Sequence, residues 1–287
     1  MKVVIIYNPN STGDSKTNAL NLADDLKEKN ILVKTIETTH AGHGEEIAAE
    51  YAKKDEDIIL ISSSGDGGYH ELINGALSHP RKRLIVAVLP SGNANDHASA
   101  LLSDSLAKSI KDLNVTAIDT IRISASVDGK PWVRYAHSYA GIGVTARAAN
   151  HLTIDRPNAF SEKWIVLRAL LSFRYVKIEE GEEIHRYSSI IFGNIDRMSK
   201  VLRISNDSSV RDGKFEMTSI RFRSKLRLIA YFITAATFGL KQARSINEYI
   251  FTTFEQTPIQ IDGEVFLLDA DSLVEVRSIK QNLRCIL

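Results

Sequence analysis

Residues 58–75 read IILISSSGDGGYHELING, and this segment indicates most about the architecture of the chain. An apolar run ends in three serines, a Gly-Asp-Gly-Gly segment follows, and the apolar residues beyond it have helical spacing. This order predicts a buried strand, a glycine turn and a helix. Gly65, Gly67 and Gly68 allow positive φ and the close approach of a ligand, and the helix start offers N–H groups to an anion. A tight strand-to-helix connection that binds nothing is the alternative interpretation.

Asp66 lies inside this turn, and a second polar loop, residues 90–96 (PSGNAND), again follows an apolar strand and opens a helix. A carboxylate that faces a phosphate site is usually explained by a cation such as Mg²⁺ between them. Because the two loops follow neighbouring strand–helix units, we expect Asp66 and Asp96 to converge on one Mg²⁺ and its waters. The alternative for the second loop is that Asn95 or Asp96 is a helix N-cap.

Strand-like and helix-like segments alternate through residues 1–122. The predicted strands are 2–7, 31–37, 58–62 and 84–89, and the predicted helices are 15–29, 44–53, 69–77 and 96–102. This alternation predicts a doubly wound, Rossmann-like parallel sheet with helices on both faces, in which ligands bind at the carboxyl ends of the strands. Three of those ends carry polar, glycine-containing loops, at residues 8–13, 62–68 and 90–95.

Residues 123–280 have a different pattern, with short strand-like segments separated by turn signals such as Asp212-Gly213 and Asp262-Gly263. The strand-like segments, the first of which begins just before this region, are 121–127, 132–140, 184–194, 213–221, 246–254, 257–262, 264–269 and 272–278. They predict a second domain that is an antiparallel β-sandwich, interrupted by helical insertions near 161–173 and 224–239. Residues 281–287 are predicted to form a strand that returns to the first domain.

Composition excludes several classes of protein. The 287 residues carry a net charge of +1, so no bulk basic field indicates nucleic acid as a partner. The only cysteine, Cys285, excludes an internal disulfide framework and suits a reducing compartment. The longest apolar stretch, residues 226–240, is too short to span a bilayer, so we expect no transmembrane segment and a cytoplasmic protein. A buried helix is the favoured interpretation of that stretch, and a membrane-facing helix is the alternative.

Other catalytic motifs are absent or misplaced. Residues 141–146 (GIGVTA) match the dinucleotide fingerprint G-x-G-x-x-A, but no βαβ pattern surrounds them. The chain contains no G-x-x-x-x-G-K-[ST] motif, which excludes a P-loop enzyme. The eight histidines show no H-x-x-x-H or H-E-x-x-H spacing, so no zinc site is expected.

Taken together, the motifs resemble those of the diacylglycerol kinase catalytic family, and most closely the small bacterial lipid kinases. The segments that carry the resemblance are Asn8-Pro9, Ser64-Gly65-Asp66-Gly67-Gly68, residues 71–75 (ELING), residues 90–96 (PSGNAND), Gly141-Ile142-Gly143, Asp212-Gly213 and Asp262-Gly263-Glu264. Each motif is weak by itself, but their order and spacing over the whole chain are specific. The resemblance also replaces the dinucleotide interpretation of residues 141–146.

Several positions depart from the family's pattern. In the family's G-G-D-G-T motif the first glycine is Ser64 here and the threonine is Gly68, so a hydroxyl that can contact phosphate is missing at position 68. The threonine of P-x-G-T-x-N-D is Asn93, and the aspartate of G-x-G-x-D-A is Thr145. These departures favour an alternative in which the chain binds nucleotide or lipid but has lost catalysis. A further alternative is an NAD kinase-like kinase of a soluble acceptor.

The resemblance implies ATP- and Mg²⁺-dependent transfer of the γ-phosphoryl group to a lipid hydroxyl, for example of diacylglycerol to give phosphatidate. It implies an active site in the cleft between the two domains, where Asp66 and Asp96 act through Mg²⁺ and Glu264 is the general base. The alternative for Glu264 is a place in a hairpin turn. The implied nucleotide-binding residues are Asn8, Pro9, Thr38, Thr39, Ser64, Gly65, Gly67, Gly68, Glu71, Ser91, Gly92 and Asn95.

Two further expectations concern metal and membrane. The resemblance implies a structural Mg²⁺ site at Asp212, although Arg211 replaces the acid usual beside it. A lipid substrate implies transient, peripheral contact with the inner face of the membrane, for which residues 160–175 or 221–240 are candidates. The same segments also fit core helices with a solvated basic rim. The sequence leaves the oligomeric state open, with a homodimer among the options.

Overall fold

The computed structural model describes residues 2–11, 13–79, 83–92, 95–101, 105–147, 175–198, 202–203, 209–222, 224, 230, 234 and 243–286. The chain forms two compact units. The first unit comprises Met1–Thr120 and Lys280–Leu287, and the second comprises Ile121–Ile279. The sequence predicted domains of 1–122 and 123–280, with residues 281–287 returning to the first domain.

The first unit is an α/β fold with a parallel sheet. Its strands β1 (Lys2–Tyr7), β2 (Leu32–Glu37), β3 (Ile58–Ser64) and β4 (Leu84–Pro90) alternate with the helices α1 (Ser15–Glu28), α2 (His43–Ala52), α3 (Asp66–Ser78), α4 (Asp96–Leu101) and α5 (Leu106–Lys111). The strand order is β2-β1-β3-β4, and every pair is parallel. A later strand, β17 (Leu273–Ile286), extends the sheet beyond β4, with Cys285 opposite Val86. Helix α5 was not predicted.

This strand order reverses direction between β1 and β3, because the chain leaves β1 towards β2 and leaves β3 towards β4. In open α/β sheets ligands bind at such a reversal, beyond the carboxyl ends of the strands. The loops that follow β1 and β3 are therefore the expected place for a ligand in this unit.

The core of the first unit forms on both faces of β3, all seven of whose residues are buried. On one face, Val3, Ile5, Ile59 and Ile61 pack against apolar residues of α1 and α5 such as Leu26 and Ile110. Helix α3 contacts β3 and β4 and packs closely against α2. Burial on both faces explains why β1, β3 and β4 contain continuous apolar runs, whereas the edge strand β2 (LVKTIE) is polar and partly exposed.

The second unit is predominantly antiparallel. Its strands are β5 (Val115–Val127, which begins in the first unit), β6 (Lys130–Ala136), β7 (Tyr139–Gly143), β8 (Val176–Glu180), β9 (Glu183–Gly193), β10 (Arg197–Met198), β11 (Leu202–Arg203), β12 (Phe215–Arg221), β13 (Arg244–Ile246), β14 (Glu248–Thr253), β15 (Thr257–Ile261) and β16 (Glu264–Leu268), together with the first part of β17. The main path runs β16-β15-β7-β9-β8-β14-β17. The predicted fold class, a parallel α/β part followed by an antiparallel β part, is confirmed.

One predicted strand of this unit was wrong in its extent. The segment predicted as a single strand at 132–140 forms β6 and β7, which His137 and Ser138 separate. The side chain of Asp262 accepts hydrogen bonds from the backbone N–H groups of both residues, at 3.0 and 2.9 Å. The interruption thus depends on a residue far away in sequence. Strand β8 was missed, because three of the five residues at 176–180 (VKIEE) are charged and the apolar alternation consists of Val176 and Ile178 alone.

The predicted helical insertions at 161–173 and 224–239 fall outside the described residues, apart from Ser224, Ala230 and Thr234. Across the part of the chain that is described, no helix combines the length and the apolar character needed to cross a membrane.

Candidate active site

The connection between β3 and α3 is tighter than predicted, because α3 begins at Asp66 rather than at residue 69. Gly65 is the N-cap, with an extended backbone (φ −84°, ψ −167°), and Gly67 and Gly68 belong to the first helical turn. None of these three glycines has positive φ, so the freedom that glycine gives the backbone is not used for a left-handed conformation here. This segment therefore offers a ligand the N-terminus of α3 itself rather than a loop that precedes it.

Position 68 has room only for glycine, because the side chain of Ser64 occupies the adjoining space. A Cβ atom on Gly68 would lie 2.6 Å from both Cβ and Oγ of Ser64, which is far inside van der Waals contact. The Ser64 hydroxyl donates to the carbonyl of Gly65 at 2.9 Å and shares a hydrogen bond of 2.6 Å with Ser62 Oγ. The resembling motif has glycine and threonine at these two positions, so here the glycine and the hydroxyl residue have exchanged places. The loop therefore retains a hydroxyl, carried by Ser64.

A network of buried serines joins the loops that follow β1, β3 and β4. Ser63 Oγ donates to the carbonyl of Ser15 at 2.8 Å and lies 3.1 Å from Ser91 Oγ, while Ser15 Oγ donates back to the carbonyl of Ser63. Ser11 Oγ donates to the carbonyl of Ser91 at 3.1 Å, and Asn18 Nδ2 donates to Ser91 Oγ at 3.0 Å. These contacts bring together the three strand-end loops that the sequence singled out, all within the first unit.

Asp66 lies between the starts of two helices. It is the first residue of α3, and its Oδ1 accepts the backbone N–H of His97, in the first turn of α4, at 3.4 Å. The residue is only 8% exposed. The positive ends of both helix dipoles favour a negative charge at this position. The same two helix starts provide N–H groups that favour a phosphate anion nearby.

Asn95 lies at the N-cap position of α4, since its backbone carbonyl accepts the N–H of Ser99 at 2.9 Å. Its side-chain Nδ2 donates to the carbonyl of Gly92 at 2.6 Å. The other amide atom, Oδ1, is buried and accepts no hydrogen bond from any described residue. The N-cap alternative therefore describes the backbone of Asn95 and leaves one side-chain oxygen available. Asp96 is the first residue of α4, and its side chain lies outside the described part of the chain.

The available oxygens suit a nucleotide-bound Mg²⁺ better than a metal held by protein alone. A magnesium–nucleotide complex keeps waters and phosphate oxygens and takes one or two carboxylates from the protein. Asp66 provides a carboxylate, and Asn95 provides a buried Oδ1 that accepts no hydrogen bond from the part of the chain that the structure describes. Among the described residues, no cluster of three His, Cys, Asp or Glu side chains is placed to hold a metal.

Thr38 and Thr39 lie just beyond β2. The N–H of Thr38 donates to the carbonyl of Tyr7 at 2.9 Å, which places Thr38 beside the end of β1. The Thr39 hydroxyl lies 3.0 Å from Nδ1 of His40 and 3.1 Å from Nδ1 of His43. Thr38 is therefore close to the strand-end loops, whereas the hydroxyl of Thr39 is engaged locally.

Glu71 has a structural role that the sequence did not reveal. Its Oε1 accepts the N–H of Gly42 at 2.9 Å, and its Oε2 accepts the N–H of Gly44 at 3.1 Å. Gly42 is the N-cap of α2, so Glu71 of α3 satisfies free donors at the start of the neighbouring helix. The predicted contact with nucleotide is untested, and this carboxylate is already bound to α2.

Asn8 and Pro9 are exposed at the end of β1. Asn8 Oδ1 accepts the N–H of Asn10 at 2.9 Å, and its carbonyl accepts the N–H of Ser11 at 3.1 Å. Gly13, later in the same loop, approaches the next loop so closely that a Cβ there would lie 2.7 Å from the carbonyl oxygen of Ser91. Ser91 is buried and Gly92 is partly exposed.

The Asp262-Gly263-Glu264 element lies in the second unit, and its two acids have different surroundings. Asp262 is buried with φ +50°, and its carboxylate accepts the N–H groups of His137, Ser138 and Tyr139 at 2.9–3.0 Å. Glu264, the first residue of β16, is exposed. The hairpin interpretation and an accessible carboxylate are therefore both present, because the turn is fixed by Asp262 and leaves Glu264 open to a reactant.

Asp212 is exposed in the turn before β12. Its Oδ1 accepts the N–H of Lys214 at 2.9 Å, a local turn contact. The structural Mg²⁺ site implied at this residue remains a prediction.

The sequence analysis did not single out Ser63, Ser15 or Asn18, which fix the strand-end loops against each other. A run of three serines at the end of an otherwise apolar strand was the available signal, because buried hydroxyls need hydrogen-bond partners. The role of His97, whose N–H reaches Asp66, had no signal in the sequence.

Comparison with known proteins agrees with these motifs. Residues 2–125 match the family profile described as the diacylglycerol kinase catalytic domain. A diacylglycerol kinase of Staphylococcus carnosus (strain TM300) is 26% identical over 280 residues, which cover 91% of this chain and 87% of the relative. A diacylglycerol kinase of Staphylococcus aureus (strain MRSA252) is 25% identical over 279 residues, with 91% and 85% covered.

A solved structure shares the fold. The crystal structure of a diacylglycerol kinase from Bacillus anthracis str. Sterne superposes with a TM-score of 0.72 at 19% identity, covering 99% of this chain and 96% of that one. The profile match lies on the unit that contains the strand-end loops and Asp66. Residues 2–125 therefore match the diacylglycerol kinase catalytic domain, and the chain as a whole is similar to bacterial diacylglycerol kinases, which supports an enzyme of the lipid kinase class.

Proposed function

We propose that the protein transfers the γ-phosphoryl group of ATP to the hydroxyl of a diacylglycerol-like lipid, giving phosphatidate, in a Mg²⁺-dependent reaction. The observation that carries the proposal is the convergence of three strand-end loops beside Asp66, at the starts of α3 and α4. Phosphoryl transfer requires mainly positioning and neutralisation of charge, which helix N-termini and a cation supply.

The residues of the first unit would hold the nucleotide. The free N–H groups at the start of α3 and the Ser64 hydroxyl favour the phosphates, and Asn8, Pro9 and Thr38 lie on the adjacent loops. Asp66, Asn95 and Asp96 would hold Mg²⁺ directly or through water. When bound, Mg²⁺ would neutralise the negative charge that develops on the phosphate oxygens. The Oδ1 of Asn95 supports this assignment, because it has no hydrogen-bond partner among the described residues and a buried amide oxygen left in that state is costly.

Glu264 would take the proton of the lipid hydroxyl as that oxygen attacks the γ-phosphorus and the bond to the departing ADP breaks. A general base must be accessible to its substrate, and the exposed position of Glu264 at the start of β16 supports this role. The lipid would be met at a membrane surface by peripheral, transient contact from the cytoplasmic side.

The test is ADP formation with Mg²⁺ and ATP over a panel of lipid alcohols in mixed micelles. We expect lipid-dependent turnover in the wild type and a fall of roughly 10²–10⁴-fold in Glu264→Gln, the range that loss of a general base produces. Glu50→Gln is the matched control, because Glu50 is an exposed carboxylate on the outer side of α2. Its turnover should equal that of the wild type.

Three outcomes distinguish the alternatives. Turnover on NAD rather than on any lipid would favour a kinase of a soluble acceptor. Nucleotide binding without turnover on any acceptor would favour a binding protein that has lost catalysis. Lipid-dependent turnover that survives Glu264→Gln unchanged would retain the kinase and reject Glu264 as its base.

A further inference from the structure

A cleft of about 600 Å³ lies in the second unit, and two residues of its lining, Arg221 and Phe222, begin the segment 221–240 that the sequence offered for membrane contact. It is formed by the β8–β9 hairpin, the end of β12 and the residue that follows β14. Its lining includes three cationic side chains, Lys177, Arg186 and Arg221, and no carboxylate. Such a concentration of one charge calls for an anionic ligand.

Two of the cations face each other directly. Lys177 of β8 is paired with Arg186 of β9 in the antiparallel register, and like charges at opposed positions destabilise a sheet. Aromatic rings hold both cations. Lys177 Nζ lies 5.0 Å from the centre of the Phe254 ring, and Arg186 Cζ lies 5.0 Å from that of Tyr175. Among the described residues, neither cation has a carboxylate within ion-pair distance, so both charges remain available.

Two acids of the β8–β9 hairpin are paired with side chains other than Lys177 and Arg186, and one of them, Glu183, binds His185 in the lining of the cleft. Glu183 pairs with His185 at 3.3 Å, and Glu180 accepts a hydrogen bond from the Tyr249 hydroxyl. The N–H of Phe222 donates to the carbonyl of Arg186 at 3.0 Å, which ties the end of β12 to β9 and brings Arg221 to the same cleft. The three cations are thus fixed around one opening.

The rim of the cleft is apolar and exposed. Ile184 is 56% exposed and Phe254 is 47% exposed, and both line the cleft beside the cations. Large apolar side chains next to unpaired basic residues form the combination that binds the surface of an anionic bilayer, since the former enter the acyl boundary and the latter contact phosphates.

We propose that this cleft binds the phosphate head group of an anionic phospholipid in a bilayer, with Ile184 and Phe254 inserted among the lipids. The site deepens the membrane contact of the proposed function, on which it rests, and it concerns attachment to the bilayer rather than transfer of the phosphoryl group. It does not depend on the kinase reaction, and binding can be measured without ATP.

The test is co-sedimentation of the full chain with vesicles, in the absence of nucleotide. We expect binding to vesicles of equal parts phosphatidylcholine and phosphatidylglycerol, weakening as salt is added, and little binding to pure phosphatidylcholine. The double variant Lys177→Gln/Arg186→Gln should bind anionic vesicles roughly thirty-fold more weakly, because each cation near the surface contributes about five-fold. Phe254→Ser should also bind more weakly, at unchanged net charge.

The matched control is Lys53→Gln/Lys130→Gln, which removes two exposed positive charges from residues that do not line the cleft. It should bind like the wild type, and unchanged thermal unfolding of all variants would show that each is folded. An equal loss in control and cleft variants would overturn the proposal, as would wild-type binding that ignores lipid charge. Saturable binding of inorganic phosphate with no binding to anionic vesicles would also overturn it, and would identify a soluble anion as the ligand.

Discussion

Ser64 and Gly68 compete for one space, so their identities depend on each other. A side chain at position 68 fits only when position 64 is glycine, since the two Cβ atoms would otherwise lie 2.6 Å apart. The departure of this chain from the usual glycine–threonine arrangement is therefore a compensated exchange of two residues. By this argument the exchange does not weaken the phosphate site.

We expect Gly68→Thr alone to destabilise the fold by about 1–3 kcal/mol, as overpacking usually does, and to raise the KM for ATP. Ser64→Gly/Gly68→Thr should recover both the stability and the KM, because the added side chain then occupies the vacated space. Urea denaturation and steady-state kinetics on the two single variants and the double variant measure how far the two substitutions depend on each other in stability and in KM. Additive effects of the two substitutions would contradict the argument.

Asp262 stabilises more than its own turn, because its carboxylate accepts hydrogen bonds from three backbone N–H groups that lie far away in the sequence. Asp262→Asn replaces one acceptor oxygen by a donor, which leaves buried N–H groups unsatisfied. We expect a loss of about 1.5–3 kcal/mol in the free energy of unfolding. Asp271→Asn is the control, because Asp271 has a similar positive φ of 53° but is exposed. Asn adopts positive φ as readily as Asp, so neither substitution adds backbone strain, and equal losses in the two variants would contradict the role of the three hydrogen bonds.

A side chain of α3 caps the N-terminus of the neighbouring helix α2. Glu71 of α3 binds two N–H groups at the start of α2, and a Cβ on Gly44 would lie 2.7 Å from its Oε2. The helix dipole of α2 favours this negative charge. The position of the β2–α2 loop, which carries Thr38 and Thr39, therefore depends on Glu71.

Glu71→Ala should lower the free energy of unfolding by about 0.5–2 kcal/mol, the usual range for a lost helix cap. If the role of Glu71 is structural, Glu71→Gln should retain much of the stability and leave the KM for ATP near that of the wild type. A large rise in KM for Glu71→Gln at unchanged stability would instead support direct contact with nucleotide.

The limits of sequence reasoning are visible in particular elements. Strands β1, β3 and β4 were predicted within two residues because continuous apolar runs have few other interpretations. The start of α3 was placed three residues late, because glycines favour turns locally and the helix begins through them only with tertiary support. The break between β6 and β7 was missed because it depends on Asp262, 123–125 residues away in the chain. The serine network was missed for the same reason, since hydrogen-bond partners distant in sequence leave no periodic pattern.

The one cysteine of the sequence, Cys285, lies in the first unit, so the reactivity of its thiol reports whether that unit has opened. Cys285 is buried opposite Val86, and burial raises the pKa of its thiol from 9.0 to about 12. Because the pKa is raised on folding, the neutral thiol contributes stability below pH 9, and this contribution is lost as the pH rises towards 12.

We expect Cys285 to resist a thiol reagent at neutral pH in the native protein and to react fully in denaturant, because the thiolate is the reactive species. The rate at low denaturant should follow opening of the first unit. Comparing wild type with Asp262→Asn would show whether the units open together. Rapid labelling of the native wild type would contradict the burial of this residue.

The pairing of β17 with β4 has a consequence for synthesis of the protein. A nascent chain presents β4 to the surroundings long before its neighbour at Cys285 has left the ribosome. Until then the parallel sheet has an open edge, which is a template for wrong pairing. The first unit stays incomplete until residues 280–286 have been synthesised, so we expect the unfinished polypeptide to depend on chaperones that shield that edge.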